Sequence, residues 1–338
     1  MGAFSAEASR RVTVGGVASE VVDLVGPRIR AAIVPQAGGE VGSLQVRSGG
    51  TWVEVLHRAL DYGDPGAQWR GRAPLQWPAV GRNCVAEELE ADLAPEDLTM
   101  GSWRCEGERY PMPILGFAQH MPFELLGAQA TGECAWTEVR TSATDYSRLF
   151  YPFEFALTCR HGLEENALRC RYTVHNMERE RALPFSIGNH ITFHLPFTEA
   201  GTFEECVLAS PTTEHVELTS QDMLSERTLP KDLREGRPLS DSDLWNMALC
   251  GYEPGGAAVQ IHDPHAFGFR VSQREVTQPS VMKWEDVFFI LYAEPAHRSF
   301  CPEPWVGRPN SLNTGAGLTR LAPGAACVWE MCVEPLIP

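Results

Sequence analysis

An alternation of apolar and polar residues is the feature that most limits the folds open to this chain. In "ALRCRYTVHN", Leu168, Cys170, Tyr172 and Val174 alternate with Arg169, Arg171, Thr173 and His175. Successive side chains on a strand point to opposite faces, so this segment predicts a half-buried antiparallel strand. "YPFEFALTCR" before it alternates similarly, and "HGLEEN" between them supplies the turn residues of a hairpin. "CVWEMCV" alternates again after the turn "APGAA". "VFFILY" at 287–292 is short and continuously apolar, as expected of a strand covered on both faces. "IRAAIVPQAGGEVGSLQVRSGGTWVEVLH" predicts three short strands broken by Gly and Pro. Helical signals are sparse: "PEDLTM" at 95–100 and "SQDMLSE" at 220–226 predict at most short surface turns.

No internal repeat of fixed period and no linker-like composition shift divides the 338 residues. The expectation is therefore one domain over 1–338, an all-β, large antiparallel β-sandwich with ample length for a sizeable core. Thirty Gly and twenty-five Pro suit many turns between short strands. A formal net charge of −16 argues against nucleic acid or an anionic membrane as the main partner, because a phosphate backbone needs a basic surface. The start "MGAFSAEASRRVTV" lacks the apolar core of a signal peptide, and no run approaches the length of a membrane span. "MGAFSA" fits a myristoylation pattern only formally. None of the ten cysteines forms a Cys-x-x-Cys pair, and several occupy apolar strand positions where a reduced thiol acts as a small hydrophobe. A reducing cytoplasm is the expected compartment.

"FSIGNHITFHL" at 185–195 sets two histidines four residues apart in an apolar run. Read as one strand, Phe185, Ile187, Ile191, Phe193 and Leu195 share one face. Ser186, Gly188, His190, Thr192 and His194 share the other. Strand positions four apart lie roughly 13 Å from each other. Two such imidazoles cannot both approach one zinc to about 2 Å, so no metal is expected here. Both histidines can simply line a polar surface or sit satisfied in the interior. Gly188 on the face of His190 is expected to leave space beside that ring for a ligand. Histidine is a natural proton donor or acceptor near neutral pH.

Three further segments carry chemistry-bearing residues. "SFCPEPWVGRPN" at 299–310 sets Glu303 between prolines, with Trp305 two residues on. A Trp beside a carboxylate can stack on a sugar's C–H face, although a rigid loop with a solvated Glu explains the pattern equally. "APLQWPAVGRN" at 73–83 presents Arg82, either a hydrogen-bond fork for hydroxyl or anionic groups or a surface ion pair. "PMPILGFAQHMPFEL" at 111–125 carries Gln119 and His120 in a turn. "IHDPHAFGF" at 261–269 reads as a hairpin turn.

Taken together and in this order, these segments resemble the aldose 1-epimerase (galactose mutarotase-like) superfamily, closest to its hexose-6-phosphate mutarotase-like branch. "PLQWPAVGR" is similar to the family's P-L-x-F-P-x-x-G-R turn, and "PILGFAQHMPFEL" to P-I-H-G-F-A-R-x-x-x-W-E-V. "PFSIGNHITF" is similar to P-F-S-x-G-x-H-x-Y-F. "CPEPWVG", followed by "LAPG" and the last strand, is similar to the family ending. The resemblance covers roughly residues 20–335 and implies a galactose mutarotase-like supersandwich with a sugar bound in a groove on one sheet. It also implies a mechanism without cofactor or metal, in a monomer or homodimer. Glu303 would take the proton of the anomeric hydroxyl while His190 protonates the ring oxygen. Reclosure after rotation about C1–C2 gives the other anomer. His194 has no catalytic counterpart. Arg82 would contact sugar hydroxyls, with Trp305, Gln119 and His120 as further substrate contacts. Asp243 in "DSDLWNMAL" is the expected hydroxyl-binding aspartate.

Two departures stand out. The family's H-G-F-A-R reads Leu115-Gly116-Phe117-Ala118-Gln119 here. A polar contact is thereby lost, together with a cation expected to hold a sugar phosphate. The same departures suit an alternative, a non-catalytic carbohydrate-binding protein that kept the fold and the groove.

Overall fold

The computed structural model describes residues 4–14, 16–58, 71–91, 100–219 and 221–337. The alternating segments form the expected ladders. Leu168–Asn176 pairs with Phe155–Leu163 on one side and Ala326–Leu336 on the other, all antiparallel. Leu168, Cys170, Tyr172 and Val174 are buried, while the residues between them are partly or largely exposed. These strands sit in the middle of a nine-stranded sheet that runs from Arg237–Pro238 at one edge to Glu124–Ala130 at the other.

Residues 5–54 form a five-stranded antiparallel meander of their own, including the three short strands Ile29–Val34, Glu40–Ser48 and Thr51–Glu54. It packs on the Glu124–Leu163 end of the nine-stranded sheet. A third, eight-stranded sheet carries Val287–Glu294 beside Ser299–Val306. Every residue of Ser299–Val306 is buried, as are the first five of Val287–Glu294, so "VFFILY" begins as a strand covered on both faces. One continuous apolar core joins all three sheets. This is the large antiparallel β-sandwich expected from the sequence. Among the described residues, no helix is long and apolar enough to cross a membrane.

The single strand expected over 185–195 is not what forms. The segment divides into Leu183–Phe185, which pairs with Thr319–Leu321, and into Ile187–Asn189 and Phe193–His194, which both pair with Ser299–Val306. Between them the backbone turns to other acceptors: Ser186 donates to the Pro78 carbonyl, His190 to Pro74 and Thr192 to Arg72, each at 2.8–2.9 Å. The whole stretch from Leu183 to Phe193 is buried, so the two-face reading fails. A period-two pattern reports which side meets water, and here neither side does.

The other turn expectations are met in part. Residues 95–99 of "PEDLTM" lie outside the described residues, and Met100 opens the strand Met100–Cys105. In "SQDMLSE", Ser220 lies outside the described residues. Gln221–Met223 form the tip of a hairpin, and Leu224 already begins the strand Leu224–Pro230. In "IHDPHAFGF" His262 closes a hairpin by pairing with Gly268, and His265 lies in its turn.

Candidate active site

Strand alternation and register build one face of the eight-stranded sheet. Along Ser299–Val306 that face carries Ser299, Cys301, Glu303 and Trp305. Opposite them on Val287–Glu294 stand Glu294, Tyr292, Ile290 and Phe288. On the other flank Gly188 pairs with both Trp305 and Gln76. Glu303 is thus fixed in mid-sheet with Gln76 and Trp305 beside it. Its Oε2 accepts hydrogen bonds from Gln76 Nε2 at 2.7 Å and Trp305 Nε1 at 3.2 Å.

Oε1 faces His190 Nε2 at 3.3 Å, and both side chains are buried. Burial pushes the Glu303 carboxyl up to about 8, with the charge of Asp222 adding to it and the Gln76 and Trp305 hydrogen bonds opposing it. Burial pushes the His190 imidazole down to about 4. Near pH 7 the two are therefore a neutral acid and a neutral base that hold one proton between them.

The tautomer of His190 follows from its other nitrogen. Nδ1 lies 3.3 Å from Thr192 Oγ1, which gives its own hydrogen to the His190 carbonyl at 3.0 Å and accepts from Cys301 Sγ at 3.2 Å. That oxygen has only lone pairs left to offer, so Nδ1 carries the hydrogen and Nε2 presents its lone pair to Glu303. The backbone behind His190 is held by residues 72–74: Asn189 Nδ2 donates to the Ala73 carbonyl at 2.9 Å. Arg72 is locked there by a fully buried ion pair with Glu40 at 2.7 Å.

Arg82 lies in the loop after Gln76, also buried. Its Nε and Nη2 donate to one Asp222 oxygen at 3.3 and 3.1 Å, and Nη1 is buried with no hydrogen-bond partner. The loop is fastened to the 113–118 turn through Leu115 N to Gly81 O and through Phe117 N and Ala118 N to Trp77 O. Around Trp305 a small apolar cluster forms from Val80, Leu115, Val216, Ala248, Phe288 and Ile290, so the family's missing histidine is replaced by an apolar wall.

The space expected beside Gly188 comes out differently. Gly188 does not open space for a ligand: an added Cβ would stand 2.7 Å from the Trp305 ring and 2.9 Å from the Pro304 carbonyl. The glycine admits the indole, and the indole holds Glu303. Asp243 sits in the turn Ser242–Trp245 with its side chain 75% exposed and its carboxylate on Lys231 at 3.3 Å. The aspartate that meets Arg82 is Asp222, from a hairpin tip 140 residues along the chain, which no local pattern distinguishes from other acidic turns. Gln119 and His120 lie in the turn Ala118–His120, with Gln119 against Gly38, and neither bonds Glu303. His194 stacks on His57 with ring centroids 5.9 Å apart. Gln76 and Thr192 were not singled out from the sequence; the alternation that marks Gly188 and His190 passes through both neighbourhoods without naming a partner.

A buried carboxyl and a buried imidazole thus face each other on one sheet of the β-sandwich. The aldose 1-epimerase family model matches residues 100–327, and the chain belongs to that family. It is 25% identical over 171 residues to the protein LacX (chromosomal) of Lactococcus lactis subsp. lactis, a match covering 50% of this chain and 49% of that protein. The chain thus spans about half the length of the curated relatives it matches. Among solved structures it superposes on the Slr1438 protein of Synechocystis sp. PCC 6803 with a TM-score of 0.73 at 21% identity, covering 98% of this chain and 100% of that one. A galactose mutarotase-like protein from Clostridium acetobutylicum gives 0.74 at 16% identity, covering 99% of each chain. Galactose 1-epimerase from Lactobacillus acidophilus NCFM gives 0.68 at 11%, covering 98% and 99%. At these identities the likeness is one of fold.

Proposed function

We propose that the protein is an aldose 1-epimerase, interconverting the α and β anomers of an aldose by acid–base ring opening. The observation that carries this reading is the Glu303–His190 contact with a single proton to move. The anomeric hydroxyl is a donor and suits Glu303; the ring oxygen only accepts and suits His190 Nε2. A hydroxyl donating to Glu303 favours its carboxylate, and an acceptor beside Nε2 favours its protonated form. Sugar binding therefore drives the shared proton from Glu303 to His190.

In the chemical step Glu303 takes the O1 proton, the C1–O5 bond breaks as C1=O1 forms, and O5 takes the proton of Nε2. Rotation about C1–C2 and the reverse transfers close the other anomer. Gln76 and Trp305 steady the carboxylate while its charge changes, and Thr192 holds the imidazole. Arg82, held by Asp222 in the loop after Gln76, is the proposed cationic contact for a sugar hydroxyl. The test is anomer exchange by NMR or polarimetry over a panel of aldoses. Glu303→Gln and His190→Asn each abolish the acceleration and His194→Asn keeps it. Wild-type exchange in Glu303→Gln removes Glu303 from the mechanism.

A second reading, a carbohydrate-binding protein without turnover, is favoured by Leu115, which contributes an apolar wall where the family has a histidine. Saturation transfer from protein to sugar without faster exchange across the panel would establish it.

A further inference from the structure

Past His190, on the side away from Glu303, the same sheet face continues to a second feature that the proton chemistry does not use. A cavity of about 50 Å³ opens there, bordered by His190, Thr192 and Cys301 and closed by His57, Tyr292, Glu294, His297 and Ser299. Tyr292 stands opposite Cys301 and Glu294 opposite Ser299 in the strand ladder, so these groups lie one and two alternate positions beyond Glu303. The walls are mixed, and their polar groups are already ordered. Tyr292 donates its hydroxyl to Glu294 at 3.0 Å, and its ring meets the His190 ring edge-on at 6.4 Å between centroids. His57 is fixed by its backbone on the Thr192 carbonyl and by its stack on His194.

We infer that this cavity is the subsite for the substituent on C5 of the sugar, and that it takes a neutral hydroxymethyl group in preference to a charged one. The inference rests on the proposed epimerase reading, which sets O1 at Glu303 and O5 at His190. The ring atom that follows O5, away from C1, is C5. Its exocyclic carbon therefore leaves the ring on the His190 side, toward the cavity. The space suits a small polar group and excludes a second sugar ring. Imidazole and hydroxyl groups in its walls can donate to and accept from one hydroxyl.

Charge decides against an anion. Glu294 places a carboxylate in the wall, and a uronate or phosphate would be set against it. The nearest guanidinium on the same turn, Arg298, is turned to the Leu195 carbonyl at 3.2 Å and to Glu199 at 3.5 Å. Burial and the neighbouring His297 lower the pKa of His57, with Glu294 opposing, which disfavours a cationic imidazole there.

The experiment measures anomer exchange for matched gluco- and galacto-series probes: the hexose, the pentose lacking the C5 substituent, the 6-deoxyhexose, the uronic acid and the 6-phosphate. The hexose is expected to exceed the pentose in kcat/KM by roughly 10- to 200-fold. Glu294→Gln is expected to raise the uronate and 6-phosphate relative to the hexose by about tenfold. His297→Ala is expected to narrow the gap between hexose and 6-deoxyhexose; a thermal melt of each variant verifies its fold. Equal handling of pentose and hexose in both series, with no change in Glu294→Gln, overturns the subsite while leaving the epimerase reading intact. Absence of exchange for every probe in the wild-type protein overturns that reading and the subsite with it.

Discussion

Asp222, at the tip of a hairpin, clasps Arg82 through two hydrogen bonds to one carboxylate oxygen, and its charge is felt by Glu303. Replacing it with asparagine removes a negative charge near the carboxyl, which lowers the Glu303 pKa. Above that pKa the pair has lost its only mobile proton, so the alkaline fall in activity moves to lower pH in Asp222→Asn. Asp222 is 43% exposed, and solvent screening limits the displacement to less than about 1 pH unit. A pH profile of kcat/KM for variant and wild type reads it directly; a shift to higher pH would contradict the assignment.

The wild-type profile has its own expected form. One proton resides on the Glu303–His190 pair between the pH where the imidazole, pushed down to about 4, titrates and that where the carboxyl, pushed up to about 8, does. The pair titrates as a unit, so kcat/KM should be level across that window and fall on both sides. Which residue holds the proton at rest does not alter this shape, because both placements have the same proton count. A profile centred on a single group near pH 6.5 would mean that the two do not act together.

Burying an ionisable pair has a stability signature. The folded pKa of Glu303 lies above its unfolded value. The folded state thus binds the extra proton between about 4.5 and 8, and the group's contribution to stability declines as pH rises through that range. Glu303→Gln removes a carboxyl that must ionise in the interior. The variant should be inactive yet more stable than wild type at pH 8.5, by about 0.5–2 kcal/mol. Denaturant unfolding of the two proteins at pH 5.5 and pH 8.5 measures the difference, which should be smaller at the lower pH.

The antiparallel sandwich was legible wherever one face of a strand meets water, as at Leu168–Asn176, because burial then writes itself into alternate residues. The pattern failed at 185–195, where both faces are covered and the strand is interrupted twice. Glu303 and His190 could be named from their motifs, and the structure brings them together at 3.3 Å. Gln76 and Asp222 could not, since a glutamine in a short strand and an aspartate in a hairpin tip gain meaning only from contacts 227 and 140 residues away. Asp243 shows the same limit from the other side: its local setting was as suggestive as that of Asp222, and it faces solvent and Lys231.

Gly188 lies in the ladder between Gln76 and Trp305, the two residues that donate to Glu303 Oε2. Adding one methyl group there forces the Trp305 ring and the Pro304 carbonyl to give way, since neither can remain within 3 Å of a carbon. Overpacking of this kind costs about 1–3 kcal/mol, so Gly188→Ala should unfold at lower denaturant than wild type. The displaced indole loosens its hydrogen bond to Oε2, which normally favours the carboxylate. The Glu303 pKa then rises further, and the alkaline limb of the activity profile moves to higher pH, opposite to the shift in Asp222→Asn. Wild-type stability together with an unmoved limb in Gly188→Ala would show that the glycine is not what seats Trp305 against Glu303.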